Sequence, residues 1–177
     1  MAWAVDYSHS TLDFSVRHLG IAAVRGRFKK FAVAVDDGER NTLRGVTVTI
    51  DAASVDTGEP QRDQHLRSAD FLDAERYPEI RFASTAVSAR GEGRYLVTGG
   101  LTIRDQTHEV TFEVELTGPM KDPWGNLRSG ATGQGTLHRK EWGLTWNKAL
   151  EVGGWLVGDD VRFSFDVEAV AKVPAAP

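Results

Sequence analysis

The chain has 177 residues, 26% of them charged, and a formal net charge of −4. A single domain of that length can bury a full core and, if its sheet closes, still enclose a cavity. An acidic chain without a basic cluster is not built for nucleic acid, and zero cysteines exclude disulfides, thiolate catalysis and Cys-bound zinc.

The N-terminus reads Met-Ala-Trp-Ala-Val-Asp, with neither a basic region nor an apolar stretch, so no secretory signal is expected. No apolar run reaches the ~20 residues that span a bilayer. The expectation is a cytoplasmic protein.

Along the chain the dominant signal is period two. Leu12, Phe14, Val16 and His18 alternate with Asp13, Ser15 and Arg17, as in a strand with one buried face. Arg27-Phe28-Lys29-Lys30 is the densest basic group and reads as a solvated strand face. Phe28 and Phe31 are out of phase, which places a bulge at Lys29-Lys30. Val46, Val48 and Ile50 alternate with Thr47 and Thr49, after a turn at Asp36-Asp37-Gly38.

Residues Pro60 to Tyr77 break the pattern. Pro60 is placed to open a helix, Pro78 to stop it, and Asp70 to cap a second short one. Leu66, Phe71 and Leu72 are its apolar contacts, so short helices near 60–76 would cover one end of a sheet. Alternation resumes at Ile80 and Phe82, then after Arg90-Gly91-Glu92-Gly93 at Val97 and Leu101, with a second bulge expected at Gly99-Gly100. Past Arg104-Asp105-Gln106, Val110, Phe112, Val114 and Leu116 give the cleanest run. Val161, Phe163, Phe165 and Val167 repeat it near the end.

Eight strands are therefore predicted, near 10–19, 24–36, 42–52, 79–89, 94–104, 107–117, 128–139 and 160–170. Long antiparallel strands joined by hairpins point to an all-β, extended eight-stranded up-and-down barrel, with a two-sheet sandwich as the competing architecture. The predicted organisation is one domain over 1–170 and a disordered tail over 171–177.

No motif for chemistry emerges. His9, His18, His65, His108 and His138 form no metal-ligand spacing, and no metal or cofactor is expected. Asp6, Ser8, His9 and Ser10 invite a catalytic-triad reading. Successive side chains of a strand point to opposite faces, which argues against it. Gly133 and Gly135 share one strand face, where they could leave room for a ligand or let a neighbouring helix approach. Aromatic residues are plentiful on the strands, yet periodicity does not separate a filled barrel from a hollow one.

Longer motifs carry more. Asp6-x-x-His9-Ser10-x-Leu12-x-Phe14-x-Val16-x-His18, Gly26-x-Phe28 and Ser54-Val55-x-Thr57-Gly58 are followed by Arg62-Asp63-x-His65-Leu66 and Ser68-x-Asp70-Phe71-Leu72. Tyr77-Pro78-x-Ile80-x-Phe82-x-Ser84-Thr85, Gly100-Leu101-Thr102-Ile103, Arg139-x-x-Trp142-Gly143 and Val157-Gly158-Asp159-x-Val161 complete the set. In this order, over roughly residues 3–170, they resemble the YceI-like family of polyisoprenoid-binding proteins. Two positions depart from the family's usual pattern: Arg104-Asp105 stands where Arg-Gly is common, and Trp142 where Phe is commoner.

The resemblance implies a lipocalin-like barrel whose elongated apolar cavity takes a polyisoprenoid or similar lipid, in proteins that are often dimers. Inward candidates are Phe14, Val16, Val48, Ile80, Phe82, Leu101, Ile103, Phe112, Val114, Phe163 and Phe165, with Phe71 and Trp142 as the cover. If a polar or pyrophosphate head is bound, Arg62 or Arg17 would meet it, although each reads first as a surface residue. The partners expected are the lipid, a transient membrane contact and a second copy, with no nucleic acid. Competing functions are an enzyme that uses His18 or His108 on an apolar substrate, and a solid-core barrel that serves as an interaction module.

Overall fold

The computed structural model describes residues 3–38 and 42–171. Its strands are β1 (Trp3–His18), β2 (Ala22–Phe28), β3 (Phe31–Asp37), β4 (Leu43–Asp51), β5 (Val55–Asp56), β6 (Glu79–Ala89), β7 (Arg94–Ile103), β8 (Gln106–Lys121), β9 (Leu127–His138) and β10 (Val157–Ala171). One helix, α1 (Pro60–Arg67), and two short 3-10 turns, Ala52–Ser54 and Arg139–Trp142, complete the inventory of the described residues. All pairing is antiparallel, in the order β3-β4-β6-β7-β8-β9-β10-β1-β2-β5.

All eight expected strands are present. Two further ones arise because the segment expected over 24–36 divides at Lys29-Lys30 and because Val55–Asp56 adds a short pair to β2. The division is what turns the sheet into a barrel. β2 pairs with β1 and β3 pairs with β4, so one continuous segment supplies strands near both edges of the sheet. At the corner, Lys29 N–H donates to Ser54 O at 3.1 Å and Asp51 N–H to Lys30 O at 2.9 Å. The expected bulge is therefore a corner: its free backbone groups pair with residues 51–54 instead of with a neighbouring strand.

Below the corner, the first half of β1 and the free edge of β3 meet through side chains. Trp3 Nε1 donates to Asp37 Oδ2 at 3.2 Å, and the Tyr7 and Phe31 rings stand edge to face at 5.6 Å.

The bulge expected at Gly99-Gly100 lies instead across the ladder, between Ser84 and Ala86 of β6. Val97, Gly99, Leu101 and Ile103 share one parity, so β7 needs no change of phase. In β1 the register slips between Asp6 and Thr11, where Tyr7 to Ser10 stand opposite Val167 alone. That slip lets Trp3 and Val5, then Leu12, Phe14 and Val16, all face inward.

Pro60 occupies the first turn of α1, and the Glu59 carboxylate accepts from Gln61 and Arg62 N–H as its cap. The second helix expected near Asp70 is a series of turns. Asp73 sits at φ 47, a left-handed conformation that interrupts any helix, and its N–H donates to Ser68 O. Of the tail expected to be disordered over 171–177, only Ala171 lies within the described residues, and it is ordered in β10. Ala171 is buried and pairs with Trp3, while 172–177 lie outside the described residues.

The two ends differ in construction. One, the helical end, carries residues 52–78, the segment 139–156 and the β1–β2 turn. Its core joins Ile50, Ala52, Ala74, Ile80, Ile103, Trp142 and Leu144. The far end carries the β3–β4, β6–β7 and β8–β9 turns. A second cluster, Phe82, Val97 and Val114, packs within the wall between them.

Candidate functional site

The interior is hollow. A cavity of about 820 Å³ runs through the barrel, bordered by Trp3, Leu43, Leu116 and Ala169 near the far end and by Leu66, Trp146, Leu156 and His18 at the helical end. That volume is in the upper part of the ~300–1,000 Å³ range of small-molecule sites. The 16 residues of β1 extend about 50 Å, which at a barrel tilt of ~40° makes the interior roughly 35–40 Å long.

The lumen stays open because of how the phenylalanines lie. A Cβ placed on Gly135 would meet the Phe163 ring at 2.5 Å, and one on Gly133 the Phe165 ring at 2.3 Å. The same holds for Gly26 under Phe14, at 2.5 Å, whereas a Cβ on Gly99 would meet the Ala83 carbonyl at 2.3 Å before the Phe82 ring at 2.7 Å. Phe163, Phe165 and Phe14 are the direct cross-strand partners of their glycines. Each ring reclines on a bare stretch of the neighbouring strand instead of projecting inward. Gly133 and Gly135 thus do not themselves open volume for a ligand; they receive the rings that would otherwise fill it.

All thirteen candidate residues border this one cavity: Phe14, Val16, Val48, Phe71, Ile80, Phe82, Leu101, Ile103, Phe112, Val114, Trp142, Phe163 and Phe165. Phe112 stands at the centre of an aromatic cluster, with ring centroids 5.3 Å from Phe82, 5.5 Å from Phe163 and 5.9 Å from Phe165. The selection missed other wall residues, among them Leu12, Val110, Leu116, Val161 and Val167. These carry the same alternation and could have been taken from it. Trp3 and Val5 could not, because the Tyr7–Ser10 excursion hides their phase.

The helical end is closed by rings. Trp146 stands 4.5 Å from His65 and 5.4 Å from Phe71, which in turn is 5.1 Å from His65. Trp142, 1% exposed, donates through Nε1 to Leu101 O at 2.9 Å. Arg139 is buried beneath, donating to the carbonyls of Leu144 (2.6 Å), Gly158 (2.8 Å) and Trp146 (2.9 Å). Burial pushes its pKa down, with Asp159 at 3.6 Å acting in the opposite sense. This arginine fixes the loop that bears Leu144 and Trp146.

Most polar side chains on the cavity wall gather at the ends. At the helical end they are Arg17, His18, Arg62 and His65. Arg62 is oriented by Thr57, donating to its Oγ1 at 2.7 Å and its carbonyl at 3.0 Å, while Thr57 donates to the buried Asp63. Asp37, Thr42 and Ser129 border the far end. Asp13 also borders the cavity, with its carboxylate 3.6 Å from Arg27. The substance of the wall between the ends is apolar. His108 is not on it; its Nε2 is buried beside Trp142 at a ring distance of 5.2 Å.

Asp6, Ser8 and His9 do come together, contrary to the expectation from strand geometry, because the excursion in β1 gathers them. Ser8 Oγ donates to Asp6 Oδ1 at 2.6 Å, and His9 Nδ1 lies 2.9 Å from Asp6 Oδ2 and 3.2 Å from Ser8 Oγ. One ring nitrogen faces both partners, so the histidine does not stand between serine and aspartate as a relay requires. Asp6 and His9 also gather with Glu168 as three potential metal ligands, but both carboxylates are already paired with the Arg128 guanidinium. Arg128 Nη1 lies 3.0 Å from Asp6 and pairs with Glu168, while its Nε lies 2.8 Å from Asp122. Hydrogen bonds from Ser8, His9 and Arg128 hold the Asp6 carboxyl well below the usual range, and Arg128 lowers Asp122 to about 2. The His9 imidazole is raised in turn by Asp6.

Relatives agree with this architecture. UPF0312 proteins of Staphylococcus aureus (strain USA300) and Staphylococcus epidermidis (strain ATCC 12228) are 39% and 38% identical over 166 residues, covering 92% of this chain and 94% of theirs. The crystal structure of Burkholderia cenocepacia BcnA superposes with a TM-score of 0.80 at 24% identity, over 93% of this chain and 99% of that one. The Campylobacter jejuni YceI protein gives 0.76 at 28% identity, over 89% and 90%. A polyisoprenoid binding domain from Saccharophagus degradans gives 0.67 at 15% identity, over 97% and 99%, and so shares the fold. Residues 3–169 match the YceI-like domain, and the chain belongs to that family.

Proposed function

We propose that the chain binds a long apolar lipid of isoprenoid type (a polyisoprenoid, polyprenyl phosphate or quinone) in the barrel cavity, and carries, stores or sequesters it without transforming it. The observation that carries this reading is an apolar wall continuous from Leu116 to Leu66, closed by rings at one end. Membership of the YceI-like family and the likeness to a polyisoprenoid binding domain support the same lipid class.

The energetics favour a long ligand. An isoprene unit has five carbons, and burying one contributes roughly 3–4 kcal/mol at ~0.8 kcal/mol per carbon, from which ordering of the flexible chain subtracts. Apolar burial has no direction, so selectivity for chain length is modest. A polar or phosphorylated head belongs at the helical end, where Arg17, His18, Arg62 and His65 border the cavity. The placement of these groups at the rim, and of His108 off the wall, supports binding over catalysis. His108→Gln should therefore leave lipid loading intact.

Native mass spectrometry of the chain purified from its host tests the reading. A bound mass in the isoprenoid series, or uptake of added prenyl lipid, is expected. A uniformly ligand-free chain that also takes up no prenyl lipid overturns it. The same spectrum reports whether the chain pairs with a second copy.

A further inference from the structure

Eight large apolar side chains are exposed among the described residues, and four of them sit together on two turns at the helical end. Leu19 and Ile21 form the tip between β1 and β2, and Ile21 is 79% exposed. Val152 and Trp155, 94% and 60% exposed, lie on a small hairpin closed by the Ala149–Trp155 bridge and by Leu156 N–H to Lys148 O at 2.9 Å. Leu19 N–H donates to Leu156 O at 2.9 Å, which joins the two tips into one lip.

This lip adjoins the cavity. His18 and Leu156 border the lumen, while their chain neighbours Leu19 and Trp155 face solvent. Each arm of the lip therefore passes from cavity wall to exposed apolar surface within one residue. Exposed apolar groups of this kind raise the free energy of a free monomer unless another surface receives them.

The charge around the lip names that surface. The chain as a whole is acidic, but residues 17–25 and 148–156 carry Arg17, Arg25 and Lys148 against a single acid, Glu151. The acids just beyond, Asp159 and Asp160, face Lys140 and His138 at 3.0 and 2.6 Å. Aliphatic side chains beside a tryptophan, flanked by cations, match the layering of an anionic lipid surface: apolar groups enter the acyl boundary, Trp lies at the head-group level, and basic groups meet phosphate.

We infer that Leu19, Ile21, Val152 and Trp155 form a membrane-docking lip, by which the barrel sets its helical end on an anionic bilayer and exchanges lipid without exposing it to water. The inference rests on the lipid-binding reading and adds to it the surface through which the lipid passes. Docking is reversible, because four side chains on two turns bury little area compared with a spanning segment.

Co-sedimentation with vesicles of phosphatidylcholine, with and without phosphatidylglycerol, tests it, alongside uptake of a fluorescent prenyl probe in solution. The wild-type chain should partition onto the anionic vesicles. The double variant Ile21→Ser/Trp155→Ser should lose at least about tenfold in partitioning while it loads probe normally. The far-end double variant Met120→Ser/Trp124→Ser should partition like the wild type. No partitioning, equal partitioning onto neutral vesicles, or equal losses in both double variants would overturn the lip. So would self-association that the Ile21/Trp155 variant abolishes in the absence of vesicle binding, since the lip would then receive a second copy. A chain that docks but takes up no probe keeps the docking face and overturns the lipid-binding reading instead.

Discussion

The two ends of the barrel solve the same problem with opposite chemistry. At the helical end the closure is apolar: Trp142, Trp146, Phe71 and Leu144 pack over the lumen, and the buried Arg139 serves the carbonyls of the loop that holds them. At the far end the strands are held by charge. Arg128 on β9 ties Asp122 of the β8–β9 turn to Asp6 on β1 and Glu168 on β10. An apolar closure contributes through area and yields gradually as side chains slide. A charged one contributes through distance and is lost when its groups protonate or part. The contrast places adaptability at the end where the cationic rim and the exposed lip are found, and rigidity at the other.

The largest expected effect breaks the apolar end. Trp142→Ala removes a fully buried ring together with its bond to Leu101 O, and should lower stability by about 3–5 kcal/mol in denaturant unfolding. A loss confined to a few tenths of a kcal/mol would mean that Trp142 is a removable cover and not part of the core.

Gly135→Val comes next, and addresses the lumen between the ends. The nearest atoms to its added Cβ all belong to the reclining Phe163 ring, from 2.5 Å, so the ring must swing inward. Destabilisation of roughly 1–3 kcal/mol is expected, with a sharp fall in prenyl-probe uptake. Unchanged uptake would show that the rings do not govern the open volume.

The charged end should reveal itself through pH. Arg128 depresses the Asp122 carboxyl and, after Ser8 and His9, adds to the lowering of Asp6, so the stabilisation it draws from them is present above the ordinary aspartate value of 3.8 and lost as pH falls through the folded value of Asp122, about 2. Arg128→Gln should therefore lower Tm at neutral pH, with the two Tm–pH curves converging between pH 4 and 2. Parallel curves through that window would show that the ion pairs carry no net stability. The smallest effect is expected at the tip of the same turn. Trp124 is 80% exposed, and Trp124→Ser should change stability by less than ~0.5 kcal/mol.

Much of the wall is legible in the sequence because a strand with one face on an apolar lumen must alternate. Phe112, Val114, Phe163 and Phe165 announce their direction through their neighbours Glu113, Ser164 and Asp166. What escapes such a reading depends on which strands meet. Gly135 and Phe163 are 28 positions apart, and their fit exists only after β9 pairs with β10. Arg128 likewise meets Asp6 across 122 positions. Lys29-Lys30 reads as a local irregularity, and only the assembled sheet shows it to be the corner that brings the edges together. The excursion at Tyr7–Ser10 misleads in the other direction, since the alternation rule of a regular strand, applied to a bulged stretch of β1, separates groups that in fact touch.

The central claim is an open lumen that takes a lipid lengthwise between these two ends. Methyl-resolved NMR of the chain loaded with a polyprenyl phosphate tests it most directly. The account predicts lipid contacts to methyls of Leu66 at the helical end, Val48 in the wall and Leu116 toward the far end, all in one complex. Contacts confined to exposed methyls such as Ile21 and Val152, with Val48 and Leu116 unchanged, would contradict it.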